Sequence, residues 1–284
     1  VGLGGRLDAT NVVERPALTV ITPVDMDHQQ YLGDTLAAIA GEKAGIIKRG
    51  VPVIVGRQDD TALEVIEAQA ARHGAPVLAR GQHWHVTEER GRLVFQDETG
   101  LLDLPLPALP GAHQVENAGI ALAALRALGH GEDSCTAAMT EATWPARMQR
   151  LRRGPLLDIA PRAELWLDGG HNPHAARAIA DLLAAMPARP THLICGMLNT
   201  KDVTGYMAPL ARVARSLHAV SIPGQAATLD AAETARTARA AGFTAHEADS
   251  PAAALAAITA RDPRARVLIC GSLYLAGEIL KENG

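Results

Sequence analysis

The stretch LDGGHNPHAA, residues 167–176, places several chemically capable side chains close together. A strand pattern ends at Asp168, two glycines make a turn, and Pro173 has the position typical of the first residue of a helix. Asp168, His171 and Asn172 are therefore expected where a strand ends and a helix begins, a place that favours anions and nucleotides. We expect the Asp168 side chain, at this strand end, to lie outside the hydrophobic core.

Two other stretches carry candidate groups. DMDHQQYLGDT (25–35) places His28, flanked by two aspartates, between a strand and a helix. It is either a structural histidine or a ligand of a metal or phosphate. GEKAGI (41–46) places Lys43 within an apolar helix face. This lysine either covers apolar surface with its stem or acts as a nucleophile or carries a modification.

The glycine-rich stretch GLGGRLDATN (2–11) is a third candidate. Its spacing does not fit the dinucleotide fingerprint G-x-G-x-x-G, because the last position is Leu7. A Walker A loop is also excluded from this sequence, in which Gly-Lys does not occur. The stretch is either a ligand loop of another kind or no site at all.

Short apolar runs alternate with longer helical patterns along the chain, which indicates an α/β fold. We predict a strand at 17–22, helices at 35–48, 60–73 and 113–128, and a β-hairpin around Arg90-Gly91 within 84–104. Further strands are predicted at 164–168, 191–196, 217–222 and 266–271, with helices between them. Two of these strands, LICGM and LICGS, end in glycine, as parallel strands do when their C-terminal ends feed ligand-binding loops.

The composition of the chain argues against some classes of function. The chain has 284 residues, a formal net charge of -4 and 3% aromatic residues, which argues against nucleic-acid binding. Its cysteines, Cys135, Cys195 and Cys270, lack C-x-x-C spacing, so we expect a reducing, cytoplasmic setting. We expect Cys195 and Cys270 to be inert core residues of buried strands. No apolar run is long enough to predict a membrane span.

Six motifs, in order, carry a family resemblance: GLGGRLDATN, DHQQYLGDTLAAIAGEKAGI, HQVENA, WPARMQ, LDGGHNPHAA and CGSLYLAGE. Together they resemble the folylpolyglutamate synthase/dihydrofolate synthase family of the ATP-dependent Mur ligase superfamily. The resemblance implies the C-terminal part of a P-loop-type central ATPase domain at 1–150, followed by a Rossmann-like ligase domain at 151–284. It also implies ligation of L-glutamate to dihydropteroate or folate through an acyl phosphate, with ATP and Mg²⁺.

The resemblance also assigns roles to individual residues. It implies that Lys43 is a carbamylated lysine that helps hold magnesium, that His28 is a magnesium ligand, and that His171 is a catalytic residue near the glutamate site. The other implied contacts are nucleotide contacts from Asn117, Arg147 and Asp168, and substrate contacts from Leu7, Asp8, Ala9 and Ser272. Partners are expected to be small molecules alone, with no nucleic acid or membrane, and the intact enzyme is expected to be a monomer.

Some departures leave alternatives open. The family has D-G-A-H-N-P and W-P-G-R where this chain has DGGHNP (168–173) and WPAR (144–147). The family's P-loop is expected upstream of Val1, so the chain alone is expected to be inactive. A non-catalytic nucleotide- or folate-binding fragment and a Mur-type cell-wall amino-acid ligase remain as alternatives. The sequence does not decide between dihydrofolate synthase, folylpolyglutamate synthase and both.

Overall fold

The computed structural model describes residues 4–26 and 29–284. The chain divides into two units. The first contains Val1–Ala108 and His113–Ala142, and the second contains Leu109–Ala112 and Thr143–Gly284.

A parallel sheet with the strand order β1-β2-β3 lies at the centre of the first unit. Its strands are β1 (Thr19–Ile21), β2 (Val53–Val55) and β3 (Val77–Ala79), and the helices of this region are α1 (Gln29–Leu32), α2 (Leu36–Ala44) and α3 (Asp60–His73). Val53 and Val55 pack with α2 and α3, whereas Ile54 packs into a second core on the opposite face. A strand buried on both faces needs a continuous apolar run, such as VIV in β2. Of these three strands, β1 was predicted, whereas β2 and β3 were not.

That second core contains an antiparallel meander and a long helix. The elements are β4 (Trp84–Glu89), β5 (Arg92–Asp97), β6 (Gly100–Pro105), α4 (Ala112–Ala127) and α5 (Glu132–Glu141). The predicted hairpin is confirmed, because Arg90 and Gly91 both have positive φ and join β4 to β5. The third strand, β6, was not predicted. At Gly119 of α4 a Cβ would lie 2.8 Å from the Trp84 ring, so glycine lets the helix approach the meander closely.

The second unit is a doubly wound sheet with the order β11-β10-β9-β12-β8-β7, parallel except for β7. Its strands are β7 (Gln149–Arg150), β8 (Glu164–Leu167), β9 (Thr191–Cys195), β10 (Ser216–Ala219), β11 (Thr244–Glu247) and β12 (Arg266–Cys270). Its helices are α6 (Pro155–Ile159), α7 (Pro173–Ala185), α8 (Val203–Leu210), α9 (Ala231–Ala240), α10 (Pro251–Arg261) and α11 (Leu273–Asn283). Leu193 packs with α7–α9 and its neighbour Ile194 with α10 and α11. The predicted Rossmann-like α/β architecture is confirmed.

The two glycine-ended strands meet in the middle of this sheet. Cys195 of β9 and Cys270 of β12 lie opposite each other in the strand register. Both thiols are free and fully buried, as predicted. At Gly271, where φ is +102°, a Cβ would lie 2.7 Å from the carbonyl oxygen of Gly196. The close approach of these two strand ends therefore requires glycine at Gly271.

The strand order determines where the loops lie. Strand β12 lies between β8 and β9, so the loops that follow these three strands leave from the same edge of the sheet. Ligands of open α/β sheets bind at this carboxyl edge. Among the described residues, no helix is long and apolar enough to cross a membrane.

Candidate active site

Asp168 is the centre of the candidate site in the second unit. It directly follows β8 and is only 6% exposed. Its Oδ1 accepts the backbone N–H of Gly170 at 2.6 Å, and its Oδ2 accepts the backbone N–H of Met148 at 2.8 Å. The expectation that Asp168 lies outside the core is therefore wrong. A buried carboxylate needs hydrogen-bond donors, and the two amides meet that need.

The loop that carries Arg147 has an uncommon backbone. Ala146 has a φ of 53° and Met148 a φ of 39°, a region that non-glycine residues rarely occupy. The side chain of Gln149 accepts the N–H of Ala146 at 2.9 Å, and the carbonyl of Ala146 accepts the N–H of Gly169 at 2.9 Å. With the Asp168 contact, these bonds hold the backbone on both sides of Arg147, as strained functional loops require.

Arg147 itself is half-buried beside the turn that follows β8. A Cβ at Gly169 would lie 3.4 Å from Nη1 of Arg147 and would overlap the side chain of Leu273. The absence of a side chain at Gly169 therefore makes room for Leu273 of α11, and the guanidinium group lies close to the same turn. Arg147 is a cation in a fixed position at the carboxyl edge of the sheet.

Two helices begin at this same edge. Asn172 caps α7 by accepting the N–H of Ala175 at 2.8 Å, and Ser272 caps α11 by accepting the N–H of Tyr274 at 3.0 Å. Pro173 is the first residue of α7, as predicted. The positive ends of two helix dipoles thus lie at the edge that carries Arg147, an arrangement suited to an anion.

The candidate residues His171 and Ser272 differ in exposure. Ser272 is 3% exposed, whereas His171 is half-buried. The Nδ1 atom of His171 lies 3.0 Å from the carbonyl oxygen of Gly169. Because a carbonyl oxygen only accepts, Nδ1 carries the proton in this contact, which fixes the orientation of the ring.

In the first unit, the glycine-rich stretch packs against the C-terminal turn of α2. The N–H of Arg6 donates to the carbonyl of Glu42 at 3.1 Å. A Cβ at Gly5 would lie 2.8 Å from the Cα of Lys43 and closer still to the Glu42 carbonyl oxygen. The glycine at position 5 is therefore required by close backbone approach. This packing brings the predicted loop residues and Lys43 into one region.

Three of the four predicted substrate residues, Leu7, Asp8 and Ala9, lie in the turn that follows Gly5. The Asp8 carboxylate accepts both the N–H of Thr10 at 2.8 Å and its hydroxyl at 2.6 Å, which closes an Asx turn. Leu7 is 84% exposed and Ala9 is also exposed. Asp8 thus shapes the turn that presents Leu7 and Ala9 on the surface of the unit.

Lys43 lies in the last turn of α2 and is half-buried. Among the residues that the structure describes, none forms a hydrogen bond or ion pair with its ammonium group, whereas its neighbour Glu42 lies 3.5 Å from Arg6. His28 lies outside the described residues. Within the described ranges, no group of three or more histidine, cysteine, aspartate or glutamate side chains is placed to hold a metal ion.

Asn117 is exposed on α4. Its side-chain amide donates to Oε1 of the buried Gln114 at 3.1 Å. The preceding residue, Glu116, forms a two-point ion pair with Arg80, with distances of 2.6 and 2.7 Å. The Arg80–Glu116 pair joins α4 to the end of β3, so it fixes the helix that presents Asn117.

The structure brings the predicted residues together in two groups. Arg147, Asp168, His171 and Ser272 lie at one edge of the second unit's sheet, and the loop with Leu7, Asp8 and Ala9 lies on the helix that carries Lys43. Sequence reasoning missed Gln149, which fixes the Arg147 loop. The motif WPARMQ contains this glutamine, but alanine and methionine give no sign of a left-handed backbone on both sides of Arg147.

Residues 146–273 match the Mur ligase, glutamate ligase domain. The chain is 32% identical, over 98% of its length, to the folylpolyglutamate synthase of Lacticaseibacillus casei, of which it covers 64%. It is 30% identical, over 99% of its length, to a "Probable dihydrofolate synthetase" of Schizosaccharomyces pombe, of which it covers 69%. The chain belongs to the folylpolyglutamate synthase/dihydrofolate synthase family.

Solved structures of this family have the same fold. E. coli FolC in complex with DHPP and ADP superposes with a TM-score of 0.85 at 32% identity, covering 99% of this chain and 64% of that one. The chain spans only part of the length of the curated relatives it matches, from 46% to 64% of five of them. The family resemblance predicted from the six motifs is confirmed.

Proposed function

We propose that this protein is an ATP-dependent ligase that joins L-glutamate to dihydropteroate, to folate, or to both. The observation that carries the proposal is the fixed position of Arg147 at a sheet edge where two capped helices begin. A guanidinium group beside two helix N-termini is suited to a polyphosphate. The family relationship supports the same reaction, since one solved relative is in complex with DHPP and ADP.

The proposed reaction has two steps. The γ-phosphoryl group of ATP is transferred to a carboxylate oxygen of the pteroate or folate, which gives an acyl phosphate and ADP. The α-amine of glutamate then attacks the carbonyl carbon, so that a C–N bond forms, the C–O bond to phosphate breaks and the amine loses a proton. Positioning and electrostatic stabilisation supply most of the catalysis in such phosphoryl transfers.

We assign nucleotide binding to Arg147 and Asn117, with Asp168 as the residue that positions Arg147. This changes the expected role of Asp168 from a direct contact to the support of one. We assign the pteroate contact to the exposed Leu7 and Ala9, with Asp8 shaping their turn. His171 and Ser272 are assigned to the glutamate side, where the ring of His171 is oriented by the carbonyl of Gly169.

A magnesium ion fits the proposal through Lys43. The ammonium group is half-buried and unpaired among the described residues, so reaction with CO₂ would not cost an existing ion pair. The resulting carbamate is an oxygen ligand of the kind that magnesium prefers. When bound, magnesium would neutralise charge on the transferring phosphoryl group. We propose His28 as a second ligand on the basis of the family motif alone.

We further propose a monomeric cytoplasmic enzyme whose partners are small molecules. Its three cysteines are free and buried, as in proteins of reducing compartments.

The decisive experiment is a ligation assay on the protein expressed from its full reading frame. It measures incorporation of labelled glutamate into dihydropteroate and into folate, with ATP and magnesium. ADP binding by calorimetry is measured alongside, for Arg147→Ala and for the exposed control Arg153→Ala. We expect Arg147→Ala to weaken ADP binding by about tenfold or more, since charge-assisted contacts to phosphate are lost. Ligation of glutamate to neither acceptor, or unchanged ADP affinity in Arg147→Ala, would contradict the proposal.

A further inference from the structure

A cavity that the proposed reaction does not use lies in the second unit, between α10 and the strands β9, β10 and β11. Its volume is about 660 Å³. His192, His218 and His246 line it, one from each strand, and we call it the histidine cavity. The register places His218 beside His246, and Ser216, two residues before His218, beside His192, so all three imidazoles lie on one face of the sheet.

Apart from the three histidines, Ser216 and Thr244, this face is apolar. Elsewhere along it, Ile194, Val220 and Val267 pack with α10 and α11. On the side of α10 toward the cavity, Ala253 and Ala257 are too short to fill the space over the outer strands. The sequence thus places small side chains opposite polar ones, which leaves an open polar cavity in place of a packed core.

The histidines have different surroundings. The His192 ring is held at both nitrogens, by the Ser216 hydroxyl at 2.8 Å and the Asp262 carboxylate at 2.9 Å. The His218 ring is 9% exposed and lies 5.0 Å from the His246 ring. Among the described residues, none donates a hydrogen bond to the His218 ring or accepts one from it. A buried imidazole that faces a cavity without a partner is suited to a ligand.

Charges are separated along the cavity. Arg215 precedes β10 and Arg261 ends α10, which runs antiparallel to the strands, so both arginines lie at the amino end of the strands. In the described part of the chain neither of them forms an ion pair. Glu247 and Asp249 lie at the opposite end, and Glu247 is 3.8 Å from Arg239. The Asp262 carboxylate near the arginines is already engaged by His192.

We propose that the histidine cavity is a second binding site, for a small oxyanion held by Arg215 and Arg261 with His218 as a hydrogen-bond donor. The ligand class is a phosphate-bearing or multiply carboxylated metabolite. Guanidinium groups bind both kinds of oxyanion through paired N–H donors. The site lies away from Arg147 in the sequence and the fold, so it does not depend on the proposed ligase reaction.

Binding at this site depends on pH. Burial, followed by the neighbouring His246, His192 and Arg261, lowers the pKa of His218 to about 4. The other charged groups that face the cavity are Arg215, Asp262, Glu247 and Asp249. A bound anion favours the imidazolium form and raises the pKa of His218. Binding therefore takes up a proton at His218, so for a ligand of constant charge the affinity increases as pH falls from 8 toward 5.

The test is calorimetric titration of the full chain with inorganic phosphate and, separately, with citrate, at several values between pH 5 and pH 8. The two probes distinguish phosphate from carboxylate ligands. We expect Arg215→Ala with Arg261→Ala to weaken binding by about tenfold or more. Arg212→Ala, an exposed arginine that does not line the cavity, is the matched control. The two probes themselves lose negative charge as pH falls, so His218→Gln is expected to remove the part of the pH dependence that comes from proton uptake by the protein.

Two results would overturn the proposal directly: no binding of either probe to the wild-type chain at millimolar concentration, or equal binding by the double variant and the control. Loss of binding in Arg147→Ala would also overturn it, because the probe would then bind at the proposed nucleotide site. Should the double variant fail to fold by circular dichroism, the exposed single variant Arg215→Ala gives the same comparison. Unchanged pH dependence in His218→Gln would also count against the site as described.

Discussion

The carboxylate of Asp168 and the backbone N–H of Met148 are joined by a buried hydrogen bond of 2.8 Å. This bond connects the end of β8 to the loop in which Arg147 lies. Met148 and Ala146 have left-handed backbones, so the loop conformation requires such external support. We therefore expect Asp168 to affect a ligand at this edge through the position of Arg147.

Removal of the Asp168 carboxylate is therefore expected to affect stability. We expect Asp168→Ala to lower the free energy of unfolding by about 2 kcal/mol or more, because two buried N–H groups lose their acceptor. Asp168→Asn keeps one acceptor oxygen and is expected to lose less. Urea denaturation followed by circular dichroism measures both, with the exposed Asp181→Ala on α7 as control. If Asp168→Ala and Asp181→Ala were equally stable, the supporting role would be refuted.

A second prediction concerns the loop on α2. Gly5→Ala is expected to displace this loop, because the new Cβ would overlap backbone atoms of Glu42 and Lys43. Helix backbone, unlike the tip of a flexible side chain, cannot move aside to relieve the overlap. The control is Gly277→Ala in α11, where a Cβ would meet no atom within 4 Å. This substitution is expected to stabilise the helix by roughly 0.5–1 kcal/mol. Thermal unfolding and binding of dihydropteroate are measured for both. A Gly5→Ala protein with wild-type stability and binding is the contrary outcome.

Most of the fold was predictable from sequence because its strands are buried on both faces. Apolar runs such as THLIC and RVLIC predicted β9 and β12 to within one residue. Two of the missed strands have weaker signals. Strand β11 reads TAHE and lies at the sheet edge, where polar residues are tolerated, and β6 follows a second turn that the hairpin prediction did not include. The strand predicted at 217–222 is β10, which begins at Ser216 and ends at Ala219.

The candidate site was predictable as a location and less so as a geometry. Strand order placed the loops of Asp168 and Ser272 at one edge, as two glycine-ended strands indicated. The burial of Asp168 was not predictable, since one of its two donors, the N–H of Met148, lies twenty residues away in another loop. The histidine cavity had a signal that pattern reasoning passed over, namely one histidine in each of three adjacent strands.

Modification of Lys43 gives a third prediction. Lys43→Ala in the protein expressed from its full reading frame is expected to lose most ligase activity and to recover part of it with short carboxylates such as acetate, which replace the carbamate oxygens. Lys48→Ala, a nearby half-buried lysine, is the control and is expected to remain active. ¹³C NMR after incubation with ¹³CO₂ gives a direct readout of the carbamate. Full activity of Lys43→Ala without added carboxylate would refute the assignment.

The fourth prediction concerns acid stability. In the folded chain the pKa of His218 is about 4, below its ordinary value of 6.5, because burial disfavours the charged ring. Between pH 6.5 and pH 4 the His218 ring is therefore protonated in the unfolded chain and neutral in the folded chain. The contribution of His218 to the free energy of unfolding is fully present above pH 6.5 and is lost as pH falls toward 4. In that window His218→Leu is expected to reduce the pH slope of the unfolding free energy by up to about 1.4 kcal/mol per pH unit.

Guanidinium denaturation at half-unit steps from pH 7.5 to pH 4.5 measures this slope. The matched control is His130→Leu, since His130 is exposed and lies outside the histidine cavity. This variant is expected to keep the wild-type slope, because it leaves the buried ring of His218 and the histidine cavity unchanged. If the slopes of His218→Leu and His130→Leu were the same, burial of a neutral His218 ring in the cavity would be disproved. The anion site would then lose the proton uptake on which its pH dependence rests.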